Sequence, residues 1–387
     1  MKYHSGDDFL KVAIIGAGVS GLAAGITLEK NGVNPDIYEQ NAIISDHYSH
    51  VGAALSMAYR SITSEPLKFL NHLLGIELEP LESIKKLIIH SKNSKAVIDN
   101  ENIGFSFIMG QESTSVTNQL LKQIKKSNIL YEKRVSIDLL KEKYDYIIAA
   151  NGSRSEDYIA DKYLKGWRQY LVAYTRVAKL HGNFETNTVV VWGNKEVLKN
   201  GYAFLAPFNS RTASLYVTIP HLSDWEELNT CWKDFLQQTK ILDKTTLLGT
   251  YDRTHVSANS MSVKWENCFF VGDQGGFLDP FLGLGAATAI ASGVLAAKAI
   301  TENKDYDQLT RQYKRVISTM SEVRNFYDSI DDEMFDTIVA AEDNQLLKKL
   351  IYGTNIDWLK YGAIAVSPFV KSQKSPNFHE TSSSPTH

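Results

Sequence analysis

The chain contains short apolar runs that alternate with stretches of helical periodicity. Runs at residues 12–15, 34–38, 144–150 and 268–271 predict strands, and the first is apolar throughout, as in parallel strands buried on both faces. Apolar residues recur at helical spacing at 64–74, 113–124, 225–238 and 286–300. The pattern therefore predicts a parallel sheet with helices between its strands.

The middle of the chain has a different pattern. Short β-branched or aromatic runs at 171–177, 188–192, 202–207 and 213–219 are separated by turn residues, which predicts an antiparallel sheet. Further strands are predicted at 87–90, 96–99 and 131–135. A polar loop at 41–50 contains His47 and His50, and Ser113 or Thr114 can cap the helix at 113–124.

Three glycines follow the first strand at G-x-G-x-x-G spacing. Gly16 allows a tight turn, Gly18 lets the backbone approach a pyrophosphate, and Gly21 lets the next helix pack against the strand. Glu39 ends the second strand, 18 positions after Gly21, where such folds place an acid against ribose hydroxyls. This acid disfavours a 2′-phosphate, so the motif favours FAD or NAD over NADP.

A second glycine-rich loop spans residues 272–285 and precedes the helix at 286–300. Asp273 follows a strand directly and can accept a hydrogen bond from a ribitol hydroxyl. The N–H groups near Gly285 can face negative charge that develops on a ring carbonyl. The strand at 144–150 likewise ends in a glycine turn at 151–155, at the sheet edge where such folds bind ligands.

Composition narrows the function classes. A length of 387 residues predicts two intertwined domains, and a net charge of −3 gives no reason to expect nucleic-acid binding. Cys231 and Cys268 are too far apart for a C-x-x-C, so no disulfide or metal site is expected, which fits a cytoplasmic location. No apolar run is long enough to span a bilayer. Peripheral membrane contact stays open.

Aromatic residues mark the predicted antiparallel sheet. A hydrophobic core explains most of them, and a few that face a ligand are the more specific hypothesis. The candidate substrate-lining residues are Trp192, Tyr202, Phe204 and Tyr216.

Three motifs stand in a fixed order: Gly16-x-Gly18-x-x-Gly21 with Glu39, the segment 145–155, and Gly272-Asp273 with the segment 280–285. Over residues 10–300 this order resembles the FAD-dependent superfamily of para-hydroxybenzoate hydroxylase and geranylgeranyl reductase. The stretch 272–293 and the segment 201–207 are most similar to the geranylgeranyl reductase branch. Met109-Gly110-Gln111 is closer to the hydroxylase.

The resemblance implies an α/β fold with a Rossmann-like FAD-binding domain, an inserted antiparallel-sheet substrate domain and a C-terminal helical region. We expect the FAD-binding domain at 10–60, 107–157 and 258–303, and the substrate domain at 61–106 and 158–257. The helical region is expected at 304–371 and a disordered tail at 372–387.

The resemblance also implies a set of FAD-binding residues that lie in or beside these motifs. They are Gly16, Gly18, Val19, Ser20, Gly21, Glu39, Gln40, Gln111, Asn151, Gly152, Gly272, Asp273, Pro280, Gly283, Leu284, Gly285 and Ala286. The chain departs from the superfamily pattern in three places. Asn151 replaces an aspartate, Phe204 and Ala206 replace a Trp and a Phe, and the cysteine of many reductases is absent from 50–54.

The leading hypothesis is an FAD-dependent oxidoreductase that acts on a hydrophobic small molecule, in the style of a prenyl double-bond reductase. A flavin monooxygenase is the alternative that Gln111 favours. A non-catalytic flavoprotein or maturation partner is the third. The sequence has one G-x-G-x-x-G motif, so NAD(P)H or a protein electron donor is expected to dock transiently. No catalytic acid–base pair is identified.

Overall fold

The computed structural model describes residues 10–45, 49–63, 65–152, 159–352, 354 and 356–357. The strands are β1 Val12–Ile15, β2 Asp36–Tyr38, β3 His50–Leu55, β4 Glu82–His90, β5 Lys95–Met109, β6 Asn128–Leu130, β7 Tyr146–Ala149, β8 Arg168–His181, β9 Thr188–Trp192, β10 Tyr202–Pro207, β11 Thr212–Pro220, β12 Thr246–Asn259, β13 Lys264–Trp265 and β14 Cys268–Phe270.

The α-helices are α1 Val19–Lys30, α2 Pro66–Lys68, α3 Val116–Leu121, α4 Ile137–Leu140, α5 Ala160–Tyr163, α6 Lys195–Leu198, α7 Trp225–Thr239, α8 Ala286–Thr301, α9 Tyr306–Ser329, α10 Asp332–Glu342 and α11 Gln345–Tyr352. Phe69–Leu73 is a π-helical turn. No helix of the described part is both long and apolar enough to cross a bilayer.

The first sheet has six strands in the order β13-β14-β7-β1-β2-β6. All its pairs are parallel except β13–β14 at the edge. Helices α1 and α8 pack against each other, and the contact is close because Gly293 has no side chain: a Cβ there would overlap the Ser20 carbonyl oxygen. The two glycine loops are thereby held side by side at one edge of the sheet.

The second sheet has eight strands in the order β12-β8-β11-β10-β9-β4-β5-β3. Its pairs are antiparallel except β4–β9. The sheet curls so that its edge strand β3 contacts β11, although four strands lie between them in the sheet order. The Val51 N–H donates to Ser214 Oγ at 3.0 Å, and the Tyr216 hydroxyl donates to the Val51 carbonyl at 2.9 Å.

Apolar residues of α7 cover the outer face of this curled sheet. Leu228, Trp232 and Phe235 pack with Leu215 and Val217 of β11 in one buried cluster. The helix begins where the pattern predicts, because Asp224 accepts a hydrogen bond from the Glu227 N–H and caps its first turn.

The C-terminal helices close over the first sheet. The Tyr306 hydroxyl donates to the Phe270 carbonyl at 3.1 Å. Lys314 Nζ donates to the Gly275 carbonyl at 2.9 Å, so α9 holds the start of the second glycine loop.

The structure confirms the predicted α/β fold class, the parallel sheet built from separate segments, the antiparallel sheet and the helical region after 303. The domain boundaries stay a prediction, although β3 lies in the second sheet. His47 and the tail at 372–387 lie outside the described residues.

Three local predictions were wrong. His50 begins strand β3 and does not lie in a loop, since its backbone pairs with Met109 of β5. The strand at 131–135 is instead β6, Asn128–Leu130, because its register is fixed by β2. Helix α3 is capped by Ser115, which accepts from the Asn118 N–H at 3.3 Å.

Candidate functional site

One cavity of about 1260 Å³ extends from the two glycine loops of the first sheet to strands of the second sheet. Pockets for one small ligand typically have volumes of about 300–1,000 Å³. The cavity is therefore large enough for a dinucleotide together with part of a second molecule.

The first glycine loop presents backbone to this cavity. Gly16 has φ of +104°, and a Cβ there would lie 2.5 Å from the Ala150 carbonyl oxygen, so only glycine fits this turn. A Cβ on Gly18 would meet no atom within 4 Å, because Gly18 faces open cavity. Helix α1 begins there without a side-chain cap, so its first N–H groups can donate hydrogen bonds to phosphate oxygens.

Glu39 lies at the end of β2 and is 9% exposed. Its carboxylate accepts hydrogen bonds from the Ala17 N–H at 3.1 Å and the Asn41 N–H at 3.0 Å. These bonds fix its orientation on the cavity wall and leave each oxygen a further lone pair. Glu39 can therefore accept hydrogen bonds from ribose hydroxyls, as the sequence predicts.

Asn151 follows β7 and lines the cavity. Its buried Oδ1 has no hydrogen-bond partner among the described residues. A buried acceptor without a donor is costly, so this atom calls for a donor from a ligand. The hydroxyl groups of FAD are such donors, so the residues of this site fit FAD.

The second glycine loop is shaped by Asp279, which is 6% exposed. Its carboxylate accepts from the Phe281 N–H at 2.7 Å and the Leu282 N–H at 3.2 Å. Burial raises the pKa of Asp279 to about 6, against which these backbone hydrogen bonds act. Asp279 thus holds the turn before helix α8, whose uncapped N-terminus begins at Ala286 on the cavity.

The structure brings most predicted cofactor-binding residues to this cavity. Those that line it are Gly16, Gly18, Val19, Ser20, Glu39, Gln40, Asn151, Gly152, Gly272, Asp273, Pro280, Gly283, Leu284, Gly285 and Ala286. Gly21 is buried beneath the loop, where a Cβ would overlap the Gly16 carbonyl oxygen. It serves helix packing, which is the role its spacing predicts.

Gln111 lies elsewhere. It is exposed and lines a separate pocket with Ser49 and Val177. The chain turns at Gly110, which has φ of +98°, and Asn118 Nδ2 donates to the Gln111 carbonyl at 3.1 Å. This turn keeps Gln111 away from the large cavity, contrary to the position that the resemblance implies.

Three of the four predicted substrate-lining residues form an aromatic wall on the second sheet. The rings of Phe204 and Tyr216 stack at 4.1 Å between centroids, and Tyr202 lies 6.3 Å from Phe204. The Tyr202 hydroxyl donates to the Leu282 carbonyl at 2.5 Å, which joins this wall to the second glycine loop.

Trp192 is not part of this wall. It pairs with Ala203, whereas its neighbour Val191 pairs with Phe204, so Trp192 points to the opposite face of the sheet. There it packs edge-to-face on Phe235 of α7, with ring centroids 5.6 Å apart. The prediction that Trp192 lines the substrate cavity was therefore wrong.

Strand β12 adds cavity residues that the sequence analysis missed. Tyr251, Arg253 and His255 line the cavity, and the Tyr251 hydroxyl lies 2.7 Å from His50 Nδ1. Their spacing of two residues is the strand period and was the available signal. It was weak because residues 246–250 before them are exposed and carry no clear alternation.

His255 is neutral in this setting. Arg253 can only donate, so its contact with His255 Nδ1 at 3.0 Å makes that nitrogen an acceptor. Burial lowers the pKa of His255 well below its usual range, and the positive charge of Arg253 lowers it further. Arg253 and His255 therefore bring a guanidinium and a neutral imidazole to the second-sheet side of the cavity.

Comparison with known proteins agrees with this geometry. Residues 10–194 match the family described as pyridine nucleotide-disulphide oxidoreductase. No curated protein sequence matches the chain significantly.

Several solved structures share the fold. A geranylgeranyl bacteriochlorophyll reductase-like protein from Thermoplasma acidophilum is 15% identical, with a TM-score of 0.66 over 94% of this chain and 98% of its own. The flavin-dependent brominase Bmp2 is 15% identical, with a TM-score of 0.65 over 94% and 99%. HpxO from Klebsiella pneumoniae, solved as a variant with FAD, is 13% identical, with a TM-score of 0.62 over 90% and 99%.

The family match over residues 10–194 and the fold shared with these structures agree with the predicted superfamily and with FAD as the cofactor. Because the structural neighbours differ in reaction, they support the coarser class of FAD-dependent oxidoreductase.

Proposed function

We propose that the chain is an FAD-dependent oxidoreductase that reduces a double bond in a largely hydrophobic small molecule, since it shares its fold with such enzymes and matches an oxidoreductase family over residues 10–194. The observation that carries this proposal is the continuity of the cavity. The same cavity is lined at one end by the glycine loops and at the other by the aromatic wall of Tyr202, Phe204 and Tyr216.

The groups at one end of the cavity support the binding of FAD. The N-terminus of α1 and the open space at Gly18 would hold the pyrophosphate, and Glu39 would hold the adenosine ribose. Asp273 would bind ribitol, and the segment 280–285 would lie against the isoalloxazine. FAD supplies the redox chemistry when it is bound.

The chain's own residues would position the substrate and control charge. The N-terminus of α8, which is the positive end of its helix dipole, faces the cavity, where its first N–H groups can stabilise negative charge. The stacked rings of Phe204 and Tyr216 offer an apolar surface to a planar or unsaturated substrate. Tyr202 is committed to the Leu282 carbonyl, so it fixes the wall relative to the loop.

The reductant would dock transiently. The sequence has one G-x-G-x-x-G motif, and that motif lies at the FAD end of the cavity. NAD(P)H or a protein electron donor would therefore use the open part of the cavity or the nearby surface.

A flavin monooxygenase is the second candidate. Gln111, which favours it in the sequence, lies outside the large cavity, so the structure gives the reductase more support.

The test is an absorbance spectrum of the purified protein with FAD, followed by anaerobic photoreduction and mixing with oxygen. Slow reoxidation without an intermediate spectrum supports a reductase. Fast reoxidation through a transient absorbance band supports the monooxygenase. A protein that binds no FAD would overturn both.

A further inference from the structure

We propose that the second-sheet side of the cavity is an oxyanion subsite, in which Arg253 binds a carboxylate or phosphate at the far end of the substrate. The inference rests on the proposed function and narrows its substrate class to an apolar molecule with one anionic end.

Arg253 lines the cavity and has no acidic partner among the residues that the structure describes. No salt bridge among the described residues includes it. The carboxylate adjacent in sequence, Asp252, is bound by Arg176 on the neighbouring strand, at 2.8 Å from Nε and 2.6 Å from a terminal nitrogen. Arg176 and Asp252 are a directly opposed pair in the register of β8 and β12. Because side chains alternate along a strand, Arg253 points to the other face.

Arg324 is a second arginine that lines the cavity, and its environment differs from that of Arg253. Arg324 is 4% exposed, and its guanidinium pairs with Asp328, one turn away on α9. A terminal nitrogen also donates to the Asn200 carbonyl at 2.5 Å. Arg324 is therefore satisfied within the protein, whereas the charge of Arg253 is not balanced by a described carboxylate.

The neighbours of Arg253 orient its guanidinium without neutralising it. His255 Nδ1 accepts one of its N–H groups at 3.0 Å, and Tyr251 lies within hydrogen-bonding reach. A guanidinium has five N–H donors in a planar fork, so several remain for an oxyanion. His255 and Tyr251 leave the positive charge of Arg253 available to an anion, whereas an acidic neighbour would compete with that anion.

The position of Arg253 also bounds the substrate's length. Ser257, four residues further along β12, donates through Oγ to the Leu278 carbonyl of the second glycine loop at 2.8 Å. Four residues of strand span about 13 Å. A substrate that reacts near the loop and is held by Arg253 is therefore about as long as a ten-carbon chain.

The experiment titrates the protein carrying FAD with decanoate, decyl phosphate and 1-decanol by calorimetry. We expect the protein to bind one of the two anions about 10- to 100-fold more tightly than 1-decanol. The preferred anion distinguishes a carboxylate from a phosphate.

Arg253→Gln should lose this anion preference and keep FAD. Arg253→Lys should retain part of it, since an ammonium keeps the charge but not the fork. Arg168→Gln, at an exposed position of β8 outside the cavity, is the matched control and should retain all of it.

Equal binding of all three probes would overturn the inference, as would an anion preference that survives in Arg253→Gln. Loss of FAD from Arg253→Gln with the preference unchanged would assign Arg253 to the cofactor. Failure of the proposed function is separate, because FAD content is read from absorbance, whereas the titrations report heat.

Discussion

The two sides of the cavity are built from different parts of the polypeptide. On the first-sheet side the ligand would meet mainly backbone, namely the Gly18 turn and the starts of α1 and α8. On the second-sheet side it would meet side chains, including Phe204, Tyr216 and Arg253. The first side thus depends mainly on glycines that lack a side chain, and the second on which side chains are present.

This difference shows which kind of site tolerates change. A site lined by backbone tolerates few substitutions, because an added Cβ at Gly16 or Gly21 would overlap main-chain atoms. A wall of strand side chains can change its ligand by substitution at alternate positions while the sheet remains.

The strongest test of the contrast is Gly21→Ala. Its Cβ would overlap the Gly16 carbonyl oxygen, so we expect the free energy of unfolding to fall by about 3 kcal/mol or more. Urea unfolding measures it. Gly249→Ala is the control, since a Cβ there meets nothing within 4 Å. Equal effects at both positions would break the contrast.

A second test concerns the lysine that holds the second glycine loop. Burial lowers the pKa of Lys314 from 10.5 to about 7, against the attraction of Asp307. Between these values the unfolded chain binds more protons, so stability rises with pH. We expect a gain of about 2 kcal/mol between pH 7 and pH 9 that Lys314→Met lacks.

Urea unfolding at both pH values measures this gain. Lys304→Met removes a lysine whose side chain is exposed and should respond to pH as the unaltered protein does. A gain that persists in Lys314→Met would show that another group carries it.

Gly18→Ala separates binding from folding on the first-sheet side. Gly18 has φ of −77° and faces open cavity, so alanine fits the backbone, but its Cβ would occupy space that a pyrophosphate needs. We expect the Kd for FAD to rise about tenfold or more, equivalent to about 1.4 kcal/mol, with unchanged unfolding. Flavin fluorescence measures the Kd, and an unchanged value would contradict the proposed pyrophosphate position.

The smallest expected effect lies on the second-sheet side. Tyr216→Phe removes the hydroxyl that bonds the Val51 carbonyl across the curled sheet. We expect a loss of about 1 kcal/mol in the free energy of unfolding and no change in FAD content. Tyr131→Phe alters a more exposed tyrosine and is the matched control. If both substitutions have the same effect, the hydrogen bond from Tyr216 to the Val51 carbonyl does not stabilise the curled sheet.

The backbone-lined side was largely predictable from sequence. Glycine spacing, the apolar strand before it and Glu39 are local signals, and the structure places them on the cavity. Gln111 was misplaced because a local motif does not report which way the chain turns after Gly110.

The side-chain wall was only partly predictable. Tyr202, Phe204 and Tyr216 were identified as aromatic positions in strands, but the face of Trp192 depends on its register with Ala203. Arg253 and His255 come from a strand that pairs with β8, whose register depends on residues far away in sequence. Such pairing is a tertiary property, and local pattern carries little of it.

The close contact between Gly293 and Ser20 has a consequence for the order of events during synthesis. A ribosome completes α1 early, and most of the chain must follow before α8 emerges to cover it. Strand β14, which pairs with β7 in the first sheet, also emerges late. The nascent chain therefore assembles its cofactor cradle near the end of translation, so a product that stops before α8 would lack the cradle that FAD needs.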